Sequence, residues 1–244
     1  MSIDWSINSI DSCSSTNAEL AAGLKAGRYK TGSVLITKLQ TAGRGRLDRQ
    51  WISPAGNLTF SCAIPAPKGT HRIPEISLVA GLALATTLKS FIQGVQIKWP
   101  NDIFVYGKKV AGILSEVEGV NIVVGIGVNW NSTVMNFPVE LRLLLTTIAD
   151  VSGAQQSETE FFADFLSRFA KEIDRYAQNG LSAILKDIEP RLAYKNQMAT
   201  IRDGNQTFAA TIIGINHQGH LCVKTPDGKT KELISADVIP FPTE

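Results

Sequence analysis

Three arginines fall within six residues in Gly43-Arg44-Gly45-Arg46-Leu47-Asp48-Arg49-Gln50-Trp51. A guanidinium is a planar, permanently charged fork suited to phosphate oxygens. Gly43 and Gly45 let backbone N–H groups approach a ligand closely, and Trp51 offers a flat face on which a purine could stack. The stretch is not a Walker A loop, since no GK[ST] follows, nor a dinucleotide fingerprint, since Asp48 holds the third glycine position. A solvated basic loop, or one that grips nucleic-acid phosphates, is the alternative reading of this stretch alone.

A second constellation is Lys98-Trp99-Pro100-Asn101-Asp102, followed by a turn at Gly107 and then Lys108-Lys109-Val110-Ala111-Gly112. Pro100 cannot continue a central ladder, so Asn101 and Asp102 project from a break between strands. A hairpin through Gly107 returns Lys109 towards that break, where its ammonium could neutralise a substrate carboxylate and a phosphate together. Lys108 reads as a solubilising residue of the hairpin tip; Lys109 reads equally well as that or as part of a site. The third constellation is Ile122-Val123-Val124-Gly125-Ile126-Gly127-Val128-Asn129. A period of two puts the four residues Ile122, Val124, Ile126 and Val128 on one face and Val123, Gly125, Gly127 and Asn129 on the other. Two glycines on one face make a floor for a ligand or for a packing helix, and the Asn129 amide could read an adenine edge.

These residues need elements to hold them. Thr16 and Glu19 have capping-box spacing, and Leu20 and Leu24 follow before Gly27, which predicts a short amphipathic helix. Val34 to Lys38 reads as a strand, and Leu58, Phe60, Cys62 and Ile64 alternate as another. The connection between them, Gln40 to Gly56, has 17 residues, a length usually tied to function or mobility. Ile76, Val79, Ala80, Ala83, Leu84, Thr87, Leu88 and Phe91 recur at helical spacing from about Pro74 to Gln93. Val95 to Asn129 reads as a β-meander of about four strands. Ser157 and Glu160 open a helix carrying Phe161, Phe165, Phe169, Ile173 and Tyr176, closed by Asn179 and Gly180. After Pro190 come short alternating runs, Met198 to Arg202, Phe208 to Ile215, His220 to Thr225 and Lys231 to Ile234, with turns at Asp203-Gly204 and Asp227-Gly228. The expectation is an α+β chain, with a catalytic unit over residues 1–190 and a small C-terminal β-barrel over 191–244.

The 244 residues include 24 Lys and Arg against 22 Asp and Glu, a net charge of +2. That is too small to argue for DNA or an anionic membrane as the main partner, so basic chemistry must be local. Cys13, Cys62 and Cys222 are odd in number and scattered, which argues against a disulfide framework or zinc cluster and for a reducing cytoplasm. The longest mostly apolar stretch, Ser77 to Leu88, has 12 residues, so neither a signal peptide nor a membrane span is expected. The three histidines, His71, His217 and His220, fall outside every motif.

In this order the constellations resemble one family strongly, the biotin–protein ligases, also called biotin–[acetyl-CoA-carboxylase] ligases. The resemblance rests on Ser15-Thr16-Asn17, Gln40 with the GRGR loop, KWPND with Lys109 to Leu114, and Gly125-Ile126-Gly127-Val128-Asn129, and it covers nearly the whole chain. It implies a class II synthetase-like mixed sheet packed with helices and an SH3-like C-terminal barrel. It also implies biotin and Mg-ATP as substrates, biotinyl-5′-AMP as intermediate and a lysine of a biotin carboxyl carrier protein as acceptor. By resemblance, Ser15, Thr16, Asn17, Gln40, Gly43, Arg44, Gly45 and Arg46 bind biotin or close over it, and Gly112 and Gly125 form its floor. Arg46 and Arg49 hold phosphates, Asn101 lies by the adenylate, and Trp51 and Asn129 contact adenine. Lys109 meets the biotin carboxyl and the α-phosphate, and Asp102 orients the acceptor lysine. Metal ligands are not assigned. Many relatives have Arg-Gly where this chain has Leu47-Asp48, which bears on loop flexibility. Some carry an N-terminal helix-turn-helix, but here the ligase motifs begin by Ser15, so no DNA partner is expected, while a homodimer is compatible with the pattern. Two rivals stand beside this reading. One is a lipoate or octanoate ligase or transferase of the same fold, whose motifs are not seen. The other is a nucleic-acid-binding module, for which the segment from Met198 offers only Phe208 before Phe241.

Overall fold

The computed structural model describes residues 3–47, 49–67 and 73–241. The Asp48 side chain and His71, both raised by the sequence, lie outside them. A parallel pair opens the chain. β1 (Ser6–Cys13) leads through α1 (Thr16–Lys25) into β2 (Ser33–Gln40), and Cys13 stands opposite Gln40. Because parallel strands end at the same side of a sheet, the start of α1 and the end of β2 come together there. This is what makes neighbours of Ser15-Thr16-Asn17 and Gln40, more than 20 residues apart in sequence.

Five antiparallel strands continue the sheet: β3 (Leu58–Pro65), and after α2 (Ile73–Leu88) the strands β4 (Val95–Lys98), β5 (Asp102–Val105), β6 (Lys108–Glu118) and β7 (Asn121–Val128). The seven strands run in the order β1-β2-β3-β7-β6-β5-β4. The meander predicted from Val95 onward is therefore present, with β7 carried back to pair with β3. Then follow α3 (Ile148–Ser152), α4 (Glu158–Asn179) and α5 (Ser182–Ile188). The Ser157 hydroxyl accepts from the Glu160 N–H as expected, and Gly180 closes α4. Five strands end the chain, β8 (Met198–Asp203), β9 (Gln206–Ile215), β10 (Leu221–Lys224), β11 (Thr230–Leu233) and β12 (Asp237–Pro240), ordered β11-β10-β9-β8-β12.

Alternation divides the large sheet into two faces. Phe60, Cys62, Val124, Ile126 and Ile113 join the core beneath α2 and α4, with Phe60 edge-on to Phe161, Phe162 and Phe165. On the other face Ala63 and Val123 pack with Leu20 of α1, leaving the rest of that face for a cavity. The small sheet is tied to the large one: Trp99 Nε1 donates to the Gly219 carbonyl at 2.9 Å, and Ala193 N–H to the Ile97 carbonyl. Its Ala199, Ile201 and Val238 belong to the same buried cluster as α2 and α4.

Three details depart from the expectations. Thr16 is not a cap: Ser15 precedes the helix and makes no side-chain cap bond. α2 ends at Leu88 rather than near Gln93, because Ser90 and Phe91 donate to Thr87 and Leu88, three residues back, tightening the chain out of the helix. Strands β1 and β12 have no counterpart in the alternation pattern. Among the described residues no helix is long and apolar enough to cross a membrane.

Candidate active site

The cavity on the open face of the large sheet has a volume of roughly 150 Å³. Every residue singled out above as a site residue lines it except Gly43 and Asn129.

One end is a closed polar network. Gln40 Oε1 accepts from the Thr16 N–H at 2.9 Å and from its hydroxyl at 3.3 Å, so the helix start is capped from β2. Asn17 Nδ2 donates to the Leu114 carbonyl at 3.1 Å and to Glu116 Oε2 at 2.7 Å. Ser61 Oγ lies 2.6 Å from Asn17 Oδ1, and since an amide oxygen only accepts, Ser61 is the donor there. Asn17 thus lies rigidly over Gly125, where a Cβ would come within 2.2 Å of its Oδ1. Gly125→Ala is accordingly expected to destabilise the protein by about 1–3 kcal/mol through overpacking against a side chain that cannot step aside. Its melting temperature should fall by about 2–4 °C per kcal/mol; an unchanged melting temperature would mean that Asn17 is not held.

Two residues further along β7, roughly 7 Å on at the usual strand rise, Gly127 carries Trp51. A Cβ there would sit 2.2 Å from the indole Cε2. Gly112, opposite Gly127 on β6, faces both the indole and Lys109 Nζ, each 3.2 Å from its ideal Cβ. Lys109 reaches this face by an irregularity. Ile103 pairs with Ala111 but Phe104 pairs with Lys109, leaving Val110 as an extra residue. The bulge buries both Val110 and Ala111 in the core and turns Lys109 to the same side as Gly112. Lys109 Nζ lies 2.7 Å from Asp102 Oδ1, whereas Lys108 is exposed.

The loop over the cavity is ordered by its own backbone: Arg44 and Gln50 form an antiparallel bridge, and Trp51 N–H donates to the Gly43 carbonyl at 2.9 Å. Its arginines divide between two anchorages. Arg44 Nη2 donates to both carboxylate oxygens of Glu116 at 3.0 Å, while Arg46 donates to Asn101 Oδ1 at 3.1 Å and Ser235 Oγ at 2.6 Å. Arg49 pairs with Asp237. Burial lowers the Arg46 guanidinium from its ordinary value, opposed by Asp102 and Asp237. Burial likewise lowers the ammonium of Lys98, a cavity residue to which sequence reasoning assigned no role, again opposed by Asp102.

Glu116, Ser235 and Asp237 were also missed. Glu116 shares a strand face with Gly112 and Leu114, so the period of β6 could have flagged it; Ser235 and Asp237 carry no local signal. Asn129 is 2% exposed, its Nδ2 donating to the Thr146 carbonyl at 3.0 Å, and it is not among the residues that line the cavity. Gly43 lies beneath the loop, where a Cβ would meet Gln40 Nε2 at 2.4 Å and the Trp51 carbonyl at 2.5 Å.

Comparison with known proteins agrees with this geometry. Residues 9–131 match the model of the Biotin/lipoate A/B protein ligase family, and residues 196–239 match that of the Biotin protein ligase C terminal domain. The bifunctional ligase/repressor BirA of Bacillus spizizenii is 31% identical over 232 residues, covering 92% of this chain and 71% of that protein. A biotin--[acetyl-CoA-carboxylase] ligase of Paracoccus denitrificans is 31% identical over 230 residues, covering 88% and 92%. The structure of the biotin protein ligase from Aquifex aeolicus in complex with biotin and ATP aligns with a TM-score of 0.86 at 26% identity, over 96% of this chain and 99% of that one. The chain belongs to the biotin/lipoate A/B protein ligase family, as a biotin protein ligase.

Proposed function

We propose that this chain joins biotin to a carrier protein in two steps at one cavity. The observation that supports this most is the glycine floor: a polar network lies over Gly125 and the Trp51 indole over Gly127, two residues on along β7, with Lys109 Nζ beside Gly112, the partner of Gly127 on β6. Biotin would take the polar end, held through Ser15, Thr16, Asn17 and Gln40, with its carboxylate towards Lys109. The nucleotide would take the cationic end.

In the first step a biotin carboxylate oxygen attacks the α-phosphorus of Mg-ATP, and the bond to the β-phosphate oxygen breaks with its electrons leaving on pyrophosphate. The magnesium arrives on the nucleotide's phosphates as part of the substrate; among the described residues no group of three or more His, Cys, Asp or Glu is placed to hold a metal ion. Lys109 stands where it neutralises both the incoming carboxylate and the α-phosphate, and Arg46 and Arg49 offset the remaining phosphate charge. Such chemistry needs positioning and charge neutralisation rather than a protein nucleophile. Trp51 would stack on adenine, leaving Gly127, and the Asn129 amide would have to exchange the Thr146 carbonyl for the base edge.

In the second step the ε-amine of a carrier lysine attacks the anhydride carbonyl, AMP leaves with the bonding electrons, and a proton is lost from nitrogen. Asp102, already 2.7 Å from one ammonium in Lys109, is suited to orient the acceptor amine. The acceptor is a biotin carboxyl carrier domain, and the setting a reducing cytoplasm, in keeping with three unpaired cysteines.

Incubation with labelled biotin, Mg-ATP and a carrier domain should give label only when ATP and the carrier's target lysine are both present. Equal use of lipoate or octanoate in place of biotin would overturn the reading.

A further inference from the structure

The loop arginines are gripped from the far end of the chain. Arg46 donates to Ser235 Oγ and Arg49 pairs with Asp237, so both are tied to the start of β12. That anchorage is firm: Ala236 and Val238, flanking Asp237, are buried, Asp237 stands opposite Arg202 of β8, and the small sheet is fixed to the large one through Trp99. Asp237 also lines the cavity. It is thus a carboxylate held at a set place in the wall, facing a guanidinium on a long loop.

The charges facing the cavity do not balance. Arg44, Arg46, Arg49, Lys98 and Lys109 line it together with Asp102 and Asp237, and Arg44 is paired with Glu116. Asp102 pairs with Lys109 and Asp237 with Arg49; among the described residues Arg46 and Lys98 make no ion pair. The excess suits a polyanion. A polyphosphate reaching Arg49, however, must approach a fixed carboxylate already bound to it, and two anions side by side on one guanidinium repel each other.

We propose that Asp237 is a built-in competitor of the nucleotide's phosphates for Arg49, a positioning residue through which the C-terminal sheet sets ATP affinity. The carboxylate keeps the guanidinium in the cavity and releases it as the polyphosphate binds. This rests on the reading that Arg46 and Arg49 hold phosphates, and the test separates the two.

Calorimetric titration of the full chain with inorganic tripolyphosphate and with ATP supplies the first readout. Removing the competing charge in Asp237→Asn should tighten both by about three- to fivefold, the scale of an exposed ion pair. It should lower KM for ATP by a similar factor while leaving KM for biotin unchanged. Asp227→Asn, which removes the same charge from the exposed turn before β11, should change neither. In an Arg49→Ala background the Asp237→Asn effect should vanish. Asp237→Ser serves equally if the asparagine variant does not fold. Unchanged or weaker tripolyphosphate binding in the Asp237 variants, or equal tightening in Asp227→Asn, overturns the proposal. If Arg46→Ala and Arg49→Ala bind tripolyphosphate as well as the parent does, the assignment of those arginines to phosphate is what has failed.

Discussion

Lys109→Ala should lower the rate of biotin adenylation by about 30- to 1000-fold, the effect of losing about 2–4 kcal/mol of charge stabilisation made chiefly in the transition state. Lys108→Ala should leave it nearly unchanged. The two lysines are adjacent in sequence and differ only in where the backbone aims them. The extra residue at Val110 turns Lys109 onto the face of Gly112, with Nζ 2.7 Å from Asp102, and leaves Lys108 in solvent. The Asp102 pair is partly shielded, with 33% and 18% of the two side chains exposed, so the ammonium is held in place before substrate arrives. Pyrophosphate exchange dependent on biotin reads the first step alone. Equal effects of the two substitutions would remove Lys109 from the mechanism.

That bulge marks the limit of what sequence pattern shows. Gly112 and Lys109 are three apart, and strict alternation puts them on opposite faces; the hairpin signal at Gly107 brought Lys109 near the site, but its orientation depends on an irregularity that no residue type announces. The glycine floor was legible because both neighbours of Gly125 and Gly127 on β7 are apolar and buried, so alternation had one solution. β1 was not legible: it is an edge strand, largely exposed on both faces, and Ile7 and Ile10 do not alternate. β12 is a four-residue edge strand ending in Pro240, too short to show a period. Thr16 carries a capping signal yet gives its hydroxyl and N–H to Gln40, a local rule yielding to the site. The Arg49–Asp237 pair spans 188 residues, and pairing at that range leaves no trace in either neighbourhood.

Arg46→Gly should release biotinyl-5′-AMP at least about tenfold faster than the parent, by the usual 1.4 kcal/mol per decade. The guanidinium bridges Asn101, in the cavity wall, and Ser235, just before β12. Losing a charge-assisted contact costs about 1.5–3 kcal/mol. The substitution also places a third glycine beside Gly43 and Gly45, in a loop whose order depends on a few backbone bonds, among them Gly45 N–H to the Arg49 carbonyl at 2.6 Å. More backbone freedom there weakens closure further. A closed loop keeps the anhydride from water and from stray amines until the carrier lysine arrives, so faster release means lost specificity. Incubated with biotin, Mg-ATP and serum albumin, the variant should biotinylate albumin that the parent leaves unlabelled, and the adenylate off-rate should rise in step. If Arg46→Gly still forms the adenylate but releases it no faster, Arg46 is not what closes the cavity. The bonds to Asn101 and Ser235 would then hold the arginine without holding the intermediate.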